Sequence, residues 1–235
     1  MQTLSFILAI APAMLLLAYV YWRDPRKEPL KELIKAVAWG IAICVPVAFV
    51  ENWVQGVLFG AGGEPATIAG AAVKAFCVAA VPEESAKLLA LWLILRKNPY
   101  FDEHFDGIVY AVCVGLGFAA IENVFYVVGQ ENWMGIAVGR ALLAVPGHYA
   151  FAVLMGYYYS LYHFVDRSAK NAVAILLVPV MAHGVYDSLA MSGAVNPLIS
   201  SIAFVVLIYF CIKMQKEAQR KLITMIDRDK KSPLA

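Results

Sequence analysis

Charge is scarce in this chain: Asp, Glu, Lys and Arg make up 15% of its 235 residues, against 62% apolar ones. That balance excludes an ordinary soluble domain. The formal net charge is only +2, and no nucleic acid is expected as a partner. Cysteine is also sparse, and Cys44, Cys77, Cys113 and Cys211 show no C-x-x-C spacing. A zinc ribbon and a redox dithiol are thereby excluded, and all four read as packing residues inside apolar stretches. The soluble zincin pattern H-E-x-x-H and the nucleophile elbow G-x-S-x-G are both absent. There is no long linker, low-complexity tract or internal repeat, so anything specific happens among apolar helices.

What is present is a series of apolar windows of about 20 residues, the length that crosses a hydrocarbon core of roughly 30 Å. They fall near 3–22, 34–59, 70–95, 106–128, 136–162, 171–191 and 196–212. The chain is therefore predicted to be all-α, a polytopic membrane bundle of about seven transmembrane helices. Basic residues alternate between its connections. Arg23, Arg26, Lys27, Lys31 and Lys35 follow the first window, Arg96 and Lys97 the third, and Arg167 and Lys170 the fifth. The connections at 61–66, 129–135 and 191–195 hold no Lys or Arg. Cytoplasmic loops collect positive charge, which places the N-terminus outside and the C-terminus in the cytoplasm. Residues 1–212 read as the transmembrane unit. Residues 213–235 read as a basic cytoplasmic tail lying along the anionic inner surface, with membrane lipids as partners.

Against that background, six polar side chains stand out because they lie where water is missing: Glu83, Glu84, Glu122, His148, His183 and Asp187. An ionisable group inside a membrane helix marks a functional site by default. Glu83 and Glu84 precede Lys87 by four and three residues, so the three share a helical face. This pattern suits an acid–base couple, and equally a structural Glu–Lys pair that holds helices together. Asp187 follows His183 by four residues and reaches the same ring. Pro146 and Gly147 loosen the helix just before His148.

Counting 1.5 Å per residue from each window's cytoplasmic end puts Glu84 and His183 at about 18 Å, His148 at about 21 Å and Glu122 at about 24 Å. A common site is the economical reading. Several other polar residues are expected to be peripheral. Asp102, Glu103, His104 and Asp106 suit a helix N-terminus, and Glu51 and Asn52 suit the headgroup level. Arg140 is expected to snorkel outward or pair with Glu131. The small-residue stripe Ala111, Gly115, Ala119 invites a close helix neighbour.

The segments EESAK, FDEHFDGIVYAVCVGLGFAAIEN, RALLAVPGH and AHGVYD, together with IAPAMLLLAYVYWRDPRKEP near the N-terminus, closely resemble the PrsW family of bacterial intramembrane proteases. The resemblance runs through the sixth window. It implies a multi-pass enzyme of the bacterial inner membrane that makes the first cut in a single-pass anti-sigma factor during envelope stress. The family is grouped with the CAAX-processing prenyl proteases, whose motifs are a Glu pair, Phe-x-x-x-His and His-x-x-x-Asn or Asp. Carried over, Glu83 and Glu84 match the pair, Glu122 after Phe118 takes the place of the second motif's His, and His183 with Asp187 matches the third. His148 matches a PrsW histidine.

A glutamate-dependent peptidase is the leading expectation, with Glu84 or Glu83 as base and the imidazoles acting on the oxyanion or the leaving amine. A zinc form, with His148, His183 and Glu122 as ligands and water in the fourth position, stands beside it. The balance leans toward no obligatory metal. A proton-linked transporter and a non-enzymatic scaffold, like the APH subunit of γ-secretase to which the wider group is similar, are the rivals from other classes.

The orientation is open to a direct test in a variant lacking the four native cysteines. A cysteine placed at Gly63 should react with a membrane-impermeant thiol reagent added to intact cells, and one placed at Ser168 should not. Labelling at Ser168 would reverse the assignment of sides.

Overall fold

A computed structural model of the chain describes residues 2–60, 62–193, 195 and 197–231. Every regular element among the described residues is helical, so the all-α expectation holds. In order they are α1 (Gln2–Arg23), α2 (Leu30–Phe59), α3 (Ile68–Val73), a π-helical stretch Lys74–Ala80, and α4 (Val81–Leu95). Then come α5 (Asp106–Val127), α6 (Trp133–Gly139), a second π stretch Arg140–Ala144 running into α7 (Val145–Ser160), and a third at Leu161–Val165. The chain ends with α8 (Ala169–Ser192) and α9 (Pro197–Lys231).

Among the described residues, six stretches are long and apolar enough to cross a membrane: Thr3–Arg23, Leu30–Phe59, Asp106–Val127, Trp133–Val165, Ala169–Ser192 and Ile199–Lys231. The remaining window, expected near 70–95, is helical from α3 through α4 but carries Lys74, Glu83, Glu84 and Lys87. The last three are buried against protein, at 4%, 0% and 3% exposure, so this rod turns its charges away from lipid. Large apolar side chains cover the outside instead. Leu15, Trp22, Phe49, Trp53, Leu142 and Val205 are each more than two-thirds exposed, a surface that only a bilayer tolerates.

The bundle is organised on α5. This helix is apolar or small on all sides and is buried without interruption from Asp106 to Ala119, as a helix lacking a polar face must be. It packs on α1, α2 and α7, while α7 in turn carries α8 and α9. Small residues set these distances. A Cβ added at Gly117 would lie 2.4 Å from the Val37 carbonyl oxygen of α2, and one at Gly115 would lie 2.8 Å from Ala152 Cβ of α7. The stripe anticipated on α5 thus does bring a neighbour close, the use small residues have in membranes.

Acids gather at the end of α5 that carries Asp106, as expected, but they bind the amides of the approach to the helix and no side chain caps it. Asp106 accepts the amides of Asp102 (3.0 Å) and Glu103 (2.6 Å). Asp229 of α9 accepts those of His104 (2.8 Å) and Phe105 (2.9 Å). In the α1–α2 connection the Glu28 carboxylate accepts from the Tyr110 hydroxyl at 2.5 Å, and burial pushes that carboxyl up to about 7.

The C-terminal segment differs from its expectation. The expected last window begins at residue 196, which lies outside the described residues, as do residues 1 and 232–235. From Pro197 the chain is one helix to Lys231, with no break at 212. Ala218, Leu222 and Met225 are fully buried in the same core as Phe105 and Tyr157. The physical reason is a helical stripe: 218, 222 and 225 share one face, and Asp229 extends it to the backbone just before α5. Residues 213–231 are therefore docked on protein along that face, with Ile223 exposed beside it.

Candidate active site

Two prolines prepare the site. In α4 the pair Glu83 and Glu84 follows Val81–Pro82, and in α7 His148 follows Val145–Pro146–Gly147. A proline has no amide hydrogen to give to the helix ladder. In both places the preceding turn widens to π geometry: the Val81 amide bonds to the Phe76 carbonyl and the Val145 amide to the Arg140 carbonyl. Such π turns are frequent at functional sites. Here each one immediately precedes the residues that meet in the interior.

Those residues form one connected network. Lys87 Nζ donates to Glu83 Oε2 (2.9 Å) and Glu84 Oε1 (2.8 Å) and lies 3.2 Å from His148 Nδ1. His148 Nε2 is 2.8 Å from Glu122 Oε2. On the other side His183 Nδ1 is 3.0 Å from Glu84 Oε1, and its Nε2 is 3.3 Å from Asp187 Oδ2. His183 stacks on Phe151 with centroids 4.9 Å apart. The depth argument from sequence predicted one level for Glu84, Glu122, His148 and His183, and these contacts join all four and bring in Glu83 and Asp187.

A cavity of about 540 Å³ opens beside this network. Glu83, Glu122, His148, His183 and Asp187 line it, and Glu84 does not. Glu84 is fully buried behind the wall, and its Oε2 has no hydrogen-bond partner. The two members of the pair thus hold different positions: one faces the space where a substrate can sit, the other faces Lys87 and His183.

Two residues expected at the periphery belong to the site. Arg140 does not reach outward to Glu131. Its Nη2 lies 2.9 Å from Glu122 Oε2 as an ion pair, its Nε donates to Asn123 Oδ1 at 2.5 Å, and its guanidinium covers the Tyr126 ring at 4.2 Å. Asn123 also donates to the Ala9 carbonyl at 3.0 Å, the interhelical bond a buried amide needs. Glu51, placed at headgroup level from sequence, lines the same cavity as Glu83. The signal that could have found Arg140 was its position six residues before Pro146: a π turn rotates the preceding segment and re-aims its side chains. For Glu51 no local signal existed.

Comparison with known proteins agrees with this geometry. The family described as "PrsW family intramembrane metalloprotease" matches residues 28–213. The chain is 35% identical to a protein named Protease PrsW from Geobacillus kaustophilus, over 78% of each chain. It is 33% identical to one from Clostridioides difficile, over 87% of this chain and 86% of that one. A Bacillus subtilis relative of the same name is 30% identical over 89% and 93%. The chain belongs to the PrsW family of intramembrane proteases. No solved structure matches it. As a PrsW family member it is a multi-pass protein of the bacterial cytoplasmic membrane.

The PrsW family description also names a metal, and the donors can be tested for it. Among the described residues, the side chains that bring three donor atoms within 4.8 Å of one another are Glu83, Glu84 and His148. The expected set His148, His183 and Glu122 does not bring three donor atoms that close: His148 contacts Glu122, whereas His183 contacts Glu84 and Asp187. Two carboxylates and an imidazole are a set zinc accepts. Yet the same three side chains are the ones Lys87 Nζ holds. As arranged, with an ammonium on all three, these PrsW residues do not fit a metal ion.

The partner assigned to Arg140 gives a clean prediction. Arg140→Gln should leave Glu122 short of its cation and lower unfolding stability by on the order of 3 kcal/mol, the cost of breaking a largely buried pair. Glu131→Gln should leave stability unchanged. Denaturant titration of both variants in detergent decides this, and the reverse ranking would return Arg140 to the surface role.

Proposed function

We propose that this protein is an intramembrane endopeptidase in which Glu83 is the general base. It makes the first cut in a single-pass membrane protein such as an anti-sigma factor. The observation that carries the reading is the division of labour in the Glu pair: Glu83 lines the cavity, while Glu84 is sealed behind it on Lys87 and His183. The cavity joins this polar face to apolar groups including Val78, Phe125, Ile136, Leu143 and Leu207. An unwound stretch of an apolar transmembrane segment would find both its side chains and its peptide groups accommodated there.

In this mechanism Glu83 takes a proton from a water in the cavity, and the resulting hydroxide attacks the scissile carbonyl carbon. Negative charge then gathers on the carbonyl oxygen, and His183, which borders the same space, stabilises it by turning its Nε2–H from the 3.3 Å contact with Asp187 to that oxygen. The proton held by Glu83 passes to the amide nitrogen as the C–N bond breaks, so the carboxylate is regenerated. Glu84 and Asp187 touch opposite nitrogens of His183 and fix its ring. Glu122 does the same for His148, and Arg140 holds Glu122.

Co-expression with candidate single-pass membrane proteins, read by product size, tests the proposal. Glu83→Gln should lower cleavage by at least about 100-fold, as loss of a general base does, while the protein is still produced and inserted. Glu84→Gln should also lose cleavage, because Lys87 and His183 lose their anchor. Near-normal turnover in both variants would show that the carboxylates are structural and remove the catalytic assignment.

A further inference from the structure

The environment of Lys87 is that of a bound cation. An ammonium has three protons to give, and Lys87 Nζ has three acceptors in reach: Glu83 Oε2 at 2.9 Å, Glu84 Oε1 at 2.8 Å and His148 Nδ1 at 3.2 Å. The Phe118 ring flanks it, with its centroid 4.4 Å away, and a ring face attracts a cation. The side chain is 4% exposed. The three acceptor side chains are also the group spaced to hold a metal ion. One position is thus shared by an ammonium that is present and by any divalent ion that would use those donors.

We propose that these donors form a cation site whose resident cation is the Lys87 ammonium, and that a divalent ion reaches them only when Lys87 is removed. Two carboxylates bring two negative charges and the ammonium brings one positive charge. Removing Lys87 leaves a doubly negative, three-donor pocket with one side free, the arrangement zinc takes with a water in the remaining position. The orphaned Glu84 Oε2 adds a further lone pair at the same place. With Lys87 present, a dication must displace a like charge from every donor at once. The inference concerns ion binding and stands or falls apart from the protease reading, because its test contains no cleavage step.

The full chain, purified in detergent, is titrated with Zn²⁺ alone against a chromophoric chelator, and its zinc content is measured after desalting. Wild type should retain well under one zinc per chain. Lys87→Met should bind one zinc at least tenfold more tightly than wild type, and adding Glu83→Gln to Lys87→Met should abolish the gain. One tightly held zinc in wild type that is lost in Glu84→Gln would overturn the proposal. So would a folded Lys87→Met protein that binds zinc no better than wild type. If Lys87→Met is recovered only as aggregate, expression with added zinc decides. The account expects monodisperse, zinc-loaded protein, and continued aggregation counts against it.

Discussion

Two adjacent carboxylates cannot be buried in a bilayer without a cation on them, and Lys87 supplies it from one helical turn away. Isolated charges in low dielectric cost several kcal/mol each even after relaxation, and Glu84 is wholly inaccessible. The i,i+3 and i,i+4 spacing makes the neutralising contact local to α4, so it forms with the helix itself. Everything else in the site is attached to that contact: His148 reaches Lys87 from α7, His183 reaches Glu84 from α8, and Glu122 reaches His148 from α5. The polar interior is one hydrogen-bonded network spanning four helices. In a medium without water such a network specifies which helices lie together.

The surrounding fold serves to bring those four helices to one level. Glycines on α5 let α2 and α7 approach its backbone, and the proline-linked π turns set the angle at which Glu83, Glu84 and His148 enter the interior. The acids at the start of α5 and Asp229 at the end of α9 tie down the far end of the central helix. The cavity is lined both by ionisable groups and by apolar side chains. A peptide bond carried on an apolar transmembrane segment needs both.

Much of this was legible in the sequence, for reasons that can be named. The helical windows were, because hydrocarbon thickness sets their length. So were Glu83, Glu84, Glu122, His148, His183 and Asp187, because charge inside such windows is costly enough to need a cause. What was not legible depends on how helices turn relative to one another. Arg140 sits six residues before Pro146, at the start of a π stretch, and points inward to Glu122 instead of outward to Glu131. Glu51 lies near the end of a long helix, where residue counting suggests a headgroup position, yet it borders the cavity. Which donor atoms surround one point was not legible either, because depth along each helix does not give it. The docking of α9 is written in the spacing of Ala218, Leu222 and Met225, which share one face of the helix.

The central claim is that the Lys87 ammonium and the Glu pair stabilise one another. A double-mutant cycle on unfolding stability in detergent, comparing Glu84→Gln, Lys87→Met and the double variant, measures that coupling directly. The account predicts that the double variant is at least about 2 kcal/mol more stable than the sum of the single losses implies, as expected for groups in one buried network. Losses that add to within about 0.5 kcal/mol, as those of independent sites do, would contradict it.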